Sequence, residues 1–237
     1  GTSRSGFNGI GTPQDERTAE LIHWAQDMPG DGFSGQWIVN DKEALEVQQT
    51  DGSFFGRWNG SSIEVIYGIV KGRAVNFYGV SESKNGDGSL VAYSGEGMLS
   101  EDRMSFTGLT RWSAGNTRGR WNGHRRMEDP IVAAHWDAAS RKSDGPFSGK
   151  WYVANTGTLE LSHSGNLVCG KIPETDEQIY GFVSGRVIDF YGTTQQVDGS
   201  VIGFAGQVTM DEENQSFEGR TRWAAGSTRS RWNGLRQ

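Results

Sequence analysis

Residues 108–125 read GLTRWSAGNTRGRWNGHR, and residues 219–236 read GRTRWAAGSTRSRWNGLR. Thirteen of these eighteen positions are identical, far beyond chance even for a stretch rich in Arg, Trp and Gly. Moving outward, further matches lie in register. FSGQWIV at 33–39 returns as FSGKWYV at 147–153, and GRAVNFYG at 72–79 returns as GRVIDFYG at 185–192. His23-Trp24 recurs as His135-Trp136, and the offset drifts only between 111 and 114 residues. Self-similarity at a fixed period marks a duplicated structural unit. The chain therefore divides into an N-terminal tail (1–11) and two homologous units, 12–125 and 126–237.

Within each unit, short alternating runs bounded by turn residues predict strands. In the first unit they fall at 33–40, 43–50, 53–59, 62–70, 73–83, 89–100, 103–113 and 117–125. In the second they fall at 147–154, 157–163, 166–172, 177–184, 186–196, 200–210, 215–224 and 228–236. Phe106, Gly108, Thr110 and Trp112 share one face, while Ser105, Thr107, Leu109 and Arg111 share the other. Asp51-Gly52, Lys71-Gly72, Ser184-Gly185 and Asp198-Gly199 are hairpin turns. Eight consecutive hairpin-linked strands describe an up-and-down antiparallel β-barrel, since closure removes the exposed edges. The expected fold is thus all-β, two tandem eight-stranded barrels, each preceded by a short helix. Thr12-Pro13 and Asp129-Pro130 supply an N-cap followed by proline. The helices end near Trp24 and Trp136 and are expected to plug or flank the barrel bases.

Composition agrees. Gly supplies 35 residues and Pro only 5, with 9 Trp, 11 Phe and 6 Tyr, so the core is aromatic and the turns are glycine turns. No apolar run approaches the ~20 residues of a membrane-spanning helix, and a net charge of −6 opposes general nucleic-acid binding. The single cysteine, Cys169, excludes an intramolecular disulfide. The N-terminus has no apolar signal region and reads as a processed end or one added for expression; no compartment follows from it.

The motif Gly35-Gln36-Trp37, repeated as Gly149-Lys150-Trp151, resembles the Gly-x-Trp on the first strand of the calycins, the lipocalin, fatty-acid-binding and avidin group. The resemblance implies a closed antiparallel barrel. It further implies an arginine near the barrel's end that packs over the tryptophan, and here Arg118 and Arg120, or Arg229 and Arg231, sit on the last strand. The lipocalin Thr-Asp-Tyr motif is absent and each unit is shorter than a lipocalin. What carries over is a calycin-like shape, without a specific ligand.

Arginine outnumbers lysine 17 to 6 and is concentrated in the repeated hairpin, interleaved with Trp112, Trp121, Trp223 and Trp232. A Trp–Arg ladder closing the barrel is the structural reading; an anion site beside an aromatic platform is the functional one. The pleat puts Trp121 and Trp232 in the core, with Arg118, Arg120, Arg229 and Arg231 on the opposite face. His23, His124, His135 and His163 show no metal-ligand spacing. No nucleophile motif or phosphate-cradling loop is present, so neither a catalytic residue nor a cofactor is expected. Cys169, matched with Gly56, reads as a small buried hydrophobe.

Three function classes follow. The leading expectation is a non-catalytic protein holding a small apolar or aromatic molecule inside the barrel. Its contacts would be Trp37, Tyr67, Phe77 and Trp112 in the first unit and Trp151, Tyr180, Phe190 and Trp223 in the second. The alternatives are an interaction subunit with filled barrels docking a protein partner, and a barrel-lumen cyclase or isomerase. Residue size at inward positions separates the first two: Gly35, Gly56, Gly68, Gly95 and Gly108 leave room, whereas Trp37, Trp112 and Trp121 fill it.

Overall fold

Alternation along the strands determines which side chains the fold buries. In a computed structural model, which describes residues 32–40, 43–59, 61, 64–83, 88–113, 117–196, 200–223 and 228–237, Val75 and Phe77 are buried while Asn76 and Tyr78 face outward. The first barrel comprises β1 (Gly35–Val39), β2 (Glu43–Thr50), β3 (Ser53–Trp58) and β4 (Val65–Lys71), followed by β5 (Ala74–Glu82), β6 (Leu90–Leu99) and β7 (Ser105–Trp112). Its eighth strand is divided into β8 (Arg118–Arg120) and β9 (Gly123–Arg125). The second barrel repeats the plan with β10 (Gly149–Val153), β11 (Gly157–Ser164), β12 (Leu167–Ile172) and β13 (Glu177–Ser184). It continues with β14 (Val187–Gln195), β15 (Val201–Met210), β16 (Ser216–Trp223), β17 (Thr228–Arg231) and β18 (Gly234–Arg236).

Each sheet is antiparallel between sequential neighbours and closes on itself. In the first, β9 pairs with β1 through Trp37↔Arg125 and Ile38↔His124; in the second, β18 pairs with β10 through Trp151↔Arg236 and Tyr152↔Leu235. The chain is therefore two closed eight-stranded antiparallel barrels in tandem. Closure runs through β9 and β18, while among the described residues β8 pairs with β7 alone and β17 with β16 alone.

The helices differ from expectation. Among the described residues there is one, α1 (Pro130–Ser140), and it lies between the barrels. The helix expected near 12–24 lies outside the described residues, as does the 1–11 tail. Asp129 caps α1 as anticipated, its Oδ1 accepting from the Ile131 amide at 2.9 Å. α1 does not plug a barrel: Val132, His135 and Ala139 are buried, and His135 Nε2 lies 3.1 Å from the Val168 carbonyl oxygen on β12. The helix flanks the outer wall of the second barrel because its apolar stripe matches the outward Tyr180 and Phe182. No helix among the described residues is long and apolar enough to cross a membrane.

Candidate functional site

Aromatic rings occupy the axis of each barrel. In the first, Trp37 meets Phe106 at 5.1 Å between ring centroids, Phe106 meets Trp121 at 4.2 Å, and Trp121 meets Phe77 at 4.2 Å. Phe77 then meets Tyr93 edge-on at 6.3 Å, and Tyr93 packs at a tilt against Trp112 at 4.5 Å. The second barrel follows the same path through Trp151, Phe217, Trp232, Phe190, Phe204 and Trp223. Six of the eight candidate ligand contacts thus belong to these two strings. Tyr67 and Tyr180 do not. They pair across strands with Tyr78 and Tyr191 on the outer walls.

The inward glycines accommodate these rings. A Cβ at Gly95 would strike the Phe77 ring, one at Gly97 the Trp121 ring, and one at Gly123 the Phe106 ring. In the second barrel Gly206 faces Phe190 and Gly234 faces Phe217 in the same way. Room left by a missing side chain is taken by a ring from the neighbouring strand. Trp121 and Trp232 are both buried, and their Nε1 groups lack a hydrogen-bond partner. Arg120 and Arg231 are exposed on the opposite face, as the pleat requires.

The arginine over the first-strand tryptophan is Arg125, not Arg118 or Arg120. Its guanidinium lies 4.4 Å from the Trp37 ring centroid, and Arg236 lies 4.3 Å from that of Trp151. Arg118 and Arg120 face solvent, so they cannot reach an inward tryptophan. Arg125 is fully buried. It donates to the carbonyls of Arg103, Ser34 and Gly32, each at 2.8 Å, and to Asp129 Oδ2 at 2.9 Å. The same Asp129 oxygen accepts from the Gln36 amide. Gly35 between them has φ 133°, and any side chain there would strike Asp129 and Arg125. Trp37 Nε1 donates to the Phe33 carbonyl at 2.8 Å, and Trp151 Nε1 does likewise to Phe147.

The barrels meet at a seam that sequence reading missed. Tyr180 is wholly buried, and its hydroxyl donates to the Arg125 carbonyl at 2.8 Å. Tyr191 Oη lies 3.0 Å from Ser105 Oγ, and its ring stacks on His124. Burial pushes the Tyr180 phenol well above its ordinary pKa and that of Tyr191 up to about 12. His124 Nδ1 lies 3.0 Å from the Arg125 carbonyl, which can only accept, so the proton resides on Nδ1. Its Nε2 faces Gly203 without a donor, and burial depresses the imidazole pKa to about 4. Met104, Val132 and Tyr180 form an apolar cluster beside this seam.

Cys169 is buried beneath α1, and burial raises its thiol pKa. It pairs with Ser162 and Tyr180 as Phe55 pairs with Gln48 and Tyr67, so its counterpart is Phe55 rather than Gly56. Among the described residues no three His, Cys, Asp or Glu side chains converge as metal ligands would.

Three concavities formed by described residues lie on outer walls. One of about 490 Å³ on the first barrel is lined by Tyr78, Glu96, Leu109, Arg111 and Arg118; beside it, one of about 550 Å³ includes Met98, Leu109 and Arg120. The corresponding wall of the second barrel carries one of about 530 Å³ with Tyr191, Gln207, Glu218, Arg220 and Arg222. Both walls mix aromatic, aliphatic and arginine side chains. No protein-family model matches this chain, and a search of curated proteins returns no significant relative.

Proposed function

We propose that the chain is a non-catalytic interaction module, in which two calycin-like barrels with filled interiors present their outer faces to a protein partner. The observation that carries this reading is the pairing of inward glycines with rings, such as Gly95 with Phe77 and Gly206 with Phe190. A small-molecule receptor needs a lumen, and here the ring strings run along the axis where a ligand would sit. The outer walls have the composition of protein-docking surfaces, in which Tyr, Met and Arg are enriched. The Arg125–Trp37 and Arg236–Trp151 contacts, with their Gly-x-Trp strands, support the calycin-like description.

A second reading has one observation in its favour. The Nε1 donors of Trp121 and Trp232 are buried and unpaired at equivalent places. A small molecule with an acceptor atom would satisfy such a donor, which otherwise costs about 1–3 kcal/mol. Native mass spectrometry of protein purified from its source distinguishes the readings. The interaction module flies at the bare chain mass, whereas a retained small molecule at one or two per chain would replace it with the receptor.

A further inference from the structure

Arg111 on β7 and Arg118 on β8 face outward and stand directly opposite each other. On the next rung the Trp112 amide donates to the Thr117 carbonyl at 2.9 Å, so the two arginines form a non-hydrogen-bonded pair. Pairs of that kind are the closer ones in an antiparallel ladder, with Cα atoms about 4.5 Å apart. Like charges directly opposite at such a spacing are unfavourable unless a counter-charge lies between them. Among the described residues no carboxylate forms an ion pair with either guanidinium. Glu96 lines the adjoining concavity, but it stands opposite Leu109.

The second barrel also opposes two arginines, on a different rung. Arg220 faces Arg231 beside the bond from the Trp232 amide to the Gly219 carbonyl, which makes this pair the close kind too. In the first barrel Leu109↔Arg120 holds the equivalent rung. Because the pair moves between the repeats, barrel closure does not require it at a fixed place. Asp189 sits across from Arg220 in the second barrel's concavity and Glu218 beside it, so the first-barrel pair is the less compensated.

The surroundings of Arg111 are open and amphipathic. Tyr78 is 50% exposed, and Leu109 and Met98 are each 48% exposed. The covered part of this barrel's outer wall, at Phe55 and Val65, belongs to β3 and β4. From β5 to β8 one outward row runs Tyr78, Ser94, Arg111 and Arg118, and the next runs Asn76, Glu96, Leu109 and Arg120. Leu109 and Arg111 are two residues apart on one strand face, a separation of about 7 Å. The concavity of about 490 Å³ spans both rows.

We propose that this wall binds an acidic segment of a partner protein, with a carboxylate between Arg111 and Arg118 and an apolar side chain against Leu109 and Met98. An extended segment presents alternate side chains at the same interval as β7, which gives the motif one acidic and one apolar residue separated by a single position. Guanidinium groups hold a carboxylate through planar, paired hydrogen bonds. Nucleic acid fits less well, since its backbone gains nothing from Leu109 and Met98 and a net charge of −6 repels a long polyanion. The inference deepens the interaction-module reading by giving the partner's chemistry, and it rests on that reading in placing the contact on an outer wall.

The test is fluorescence anisotropy of a labelled peptide, Glu-Gly-Glu-Gly-Leu-Gly, titrated with the full chain at low salt. Binding should saturate and weaken as salt is raised. Gln in place of both peptide Glu residues, or the double variant Arg111→Gln with Arg118→Gln, should weaken it by roughly tenfold or more. Leu109→Gln should weaken it several-fold. Arg141→Gln with Lys142→Gln removes the same charge from the exposed end of α1 and should change the affinity by less than about twofold. Circular dichroism verifies folding, and the Arg111/Arg118 double variant should melt no lower than wild type because it loses a like-charge pair. Absence of saturable peptide binding overturns the proposal, as does an equal loss in the Arg141/Lys142 variant or tighter binding of a single-stranded oligonucleotide of the same charge. The filled-barrel reading fails separately, through a small molecule retained in the native mass spectrum.

Discussion

The hydroxyl of Tyr180, on the outer wall of the second barrel, donates to the main-chain carbonyl of Arg125, the residue whose guanidinium covers Trp37 inside the first. The residue that seals one barrel is therefore also the residue on which the other rests. Asp129 extends the connection, since it pairs with Arg125 and caps the helix between the barrels.

Removing the Arg125 side chain should be costly. Arg125→Met leaves Asp129 buried and uncompensated, a loss of about 3–5 kcal/mol. Arg236→Met removes hydrogen bonds from a half-buried arginine that bonds main-chain carbonyls, a loss of about 1–2 kcal/mol. Urea melts of the two variants check the order, and equal destabilisation would contradict it.

His124 and Gly203 should behave as a coupled pair. Gly203→Ala places a methyl against the imidazole and should cost about 1–3 kcal/mol. The same change in a His124→Leu background, which copies the Leu235 and Ala92 at the equivalent positions of the opposite repeats, should cost much less. A double-mutant cycle by thermal melting measures the difference.

The His124 pKa also sets an acid limit on the seam. The imidazole is depressed from 6.5 to about 4 by burial, so the unfolded chain takes up a proton that the native seam refuses. The contribution is complete above about pH 6.5 and is lost as the pH falls toward 4, by about 3 kcal/mol in total. Burial depresses His135 as well, which acts in the same direction. Melts of wild type and His124→Leu across this window should converge at low pH if the linkage is correct.

Trp232→Ala should cost about 3–5 kcal/mol, as loss of a buried large aromatic does. Arg231→Gln, on the exposed side of the same strand, should cost under ~1 kcal/mol. The reverse order in urea would place the arginine row inside the barrel.

We expect residues 126–237 to fold alone, because their strands close a barrel without help from the first unit. Without that unit, Tyr180 loses its cover and Asp129 its arginine. The fragment's melting temperature should therefore fall by roughly 10 °C or more relative to the same barrel in the full chain. Circular dichroism of the fragment decides it; a non-cooperative melt would show the two barrels to be one folding unit.

The strands were legible because their alternation and glycine turns agree, and the duplication checks each one twice. The same alternation would have found the arginine. Trp121, Gly123 and Arg125 are spaced by two and share the inward face, whereas Arg118 and Arg120 have the opposite parity. The break after Arg120, where Trp121 and Asn122 leave the ladder, obscures this continuity without ending it. Tyr67 and Tyr180 were misread as lumen residues because Gly68 and Gly181 beside them take the inward places, and a glycine carries no hydropathy to reveal its side of the sheet. The seam was illegible for another reason. His124 against Leu235 looks like an ordinary difference between repeats until Gly203 is seen facing it.

The filled interior is tested most directly by titrating the wild-type chain and Trp121→Ala with benzene, followed by nuclear magnetic resonance of the barrel side chains. A cavity of the size left by a deleted large side chain, roughly 150 Å³, stays dry and takes up benzene. The account expects no saturable shift in the wild type and one new site in the variant. Saturable binding to the wild type, with shifts at Phe77 and Trp121, would contradict it.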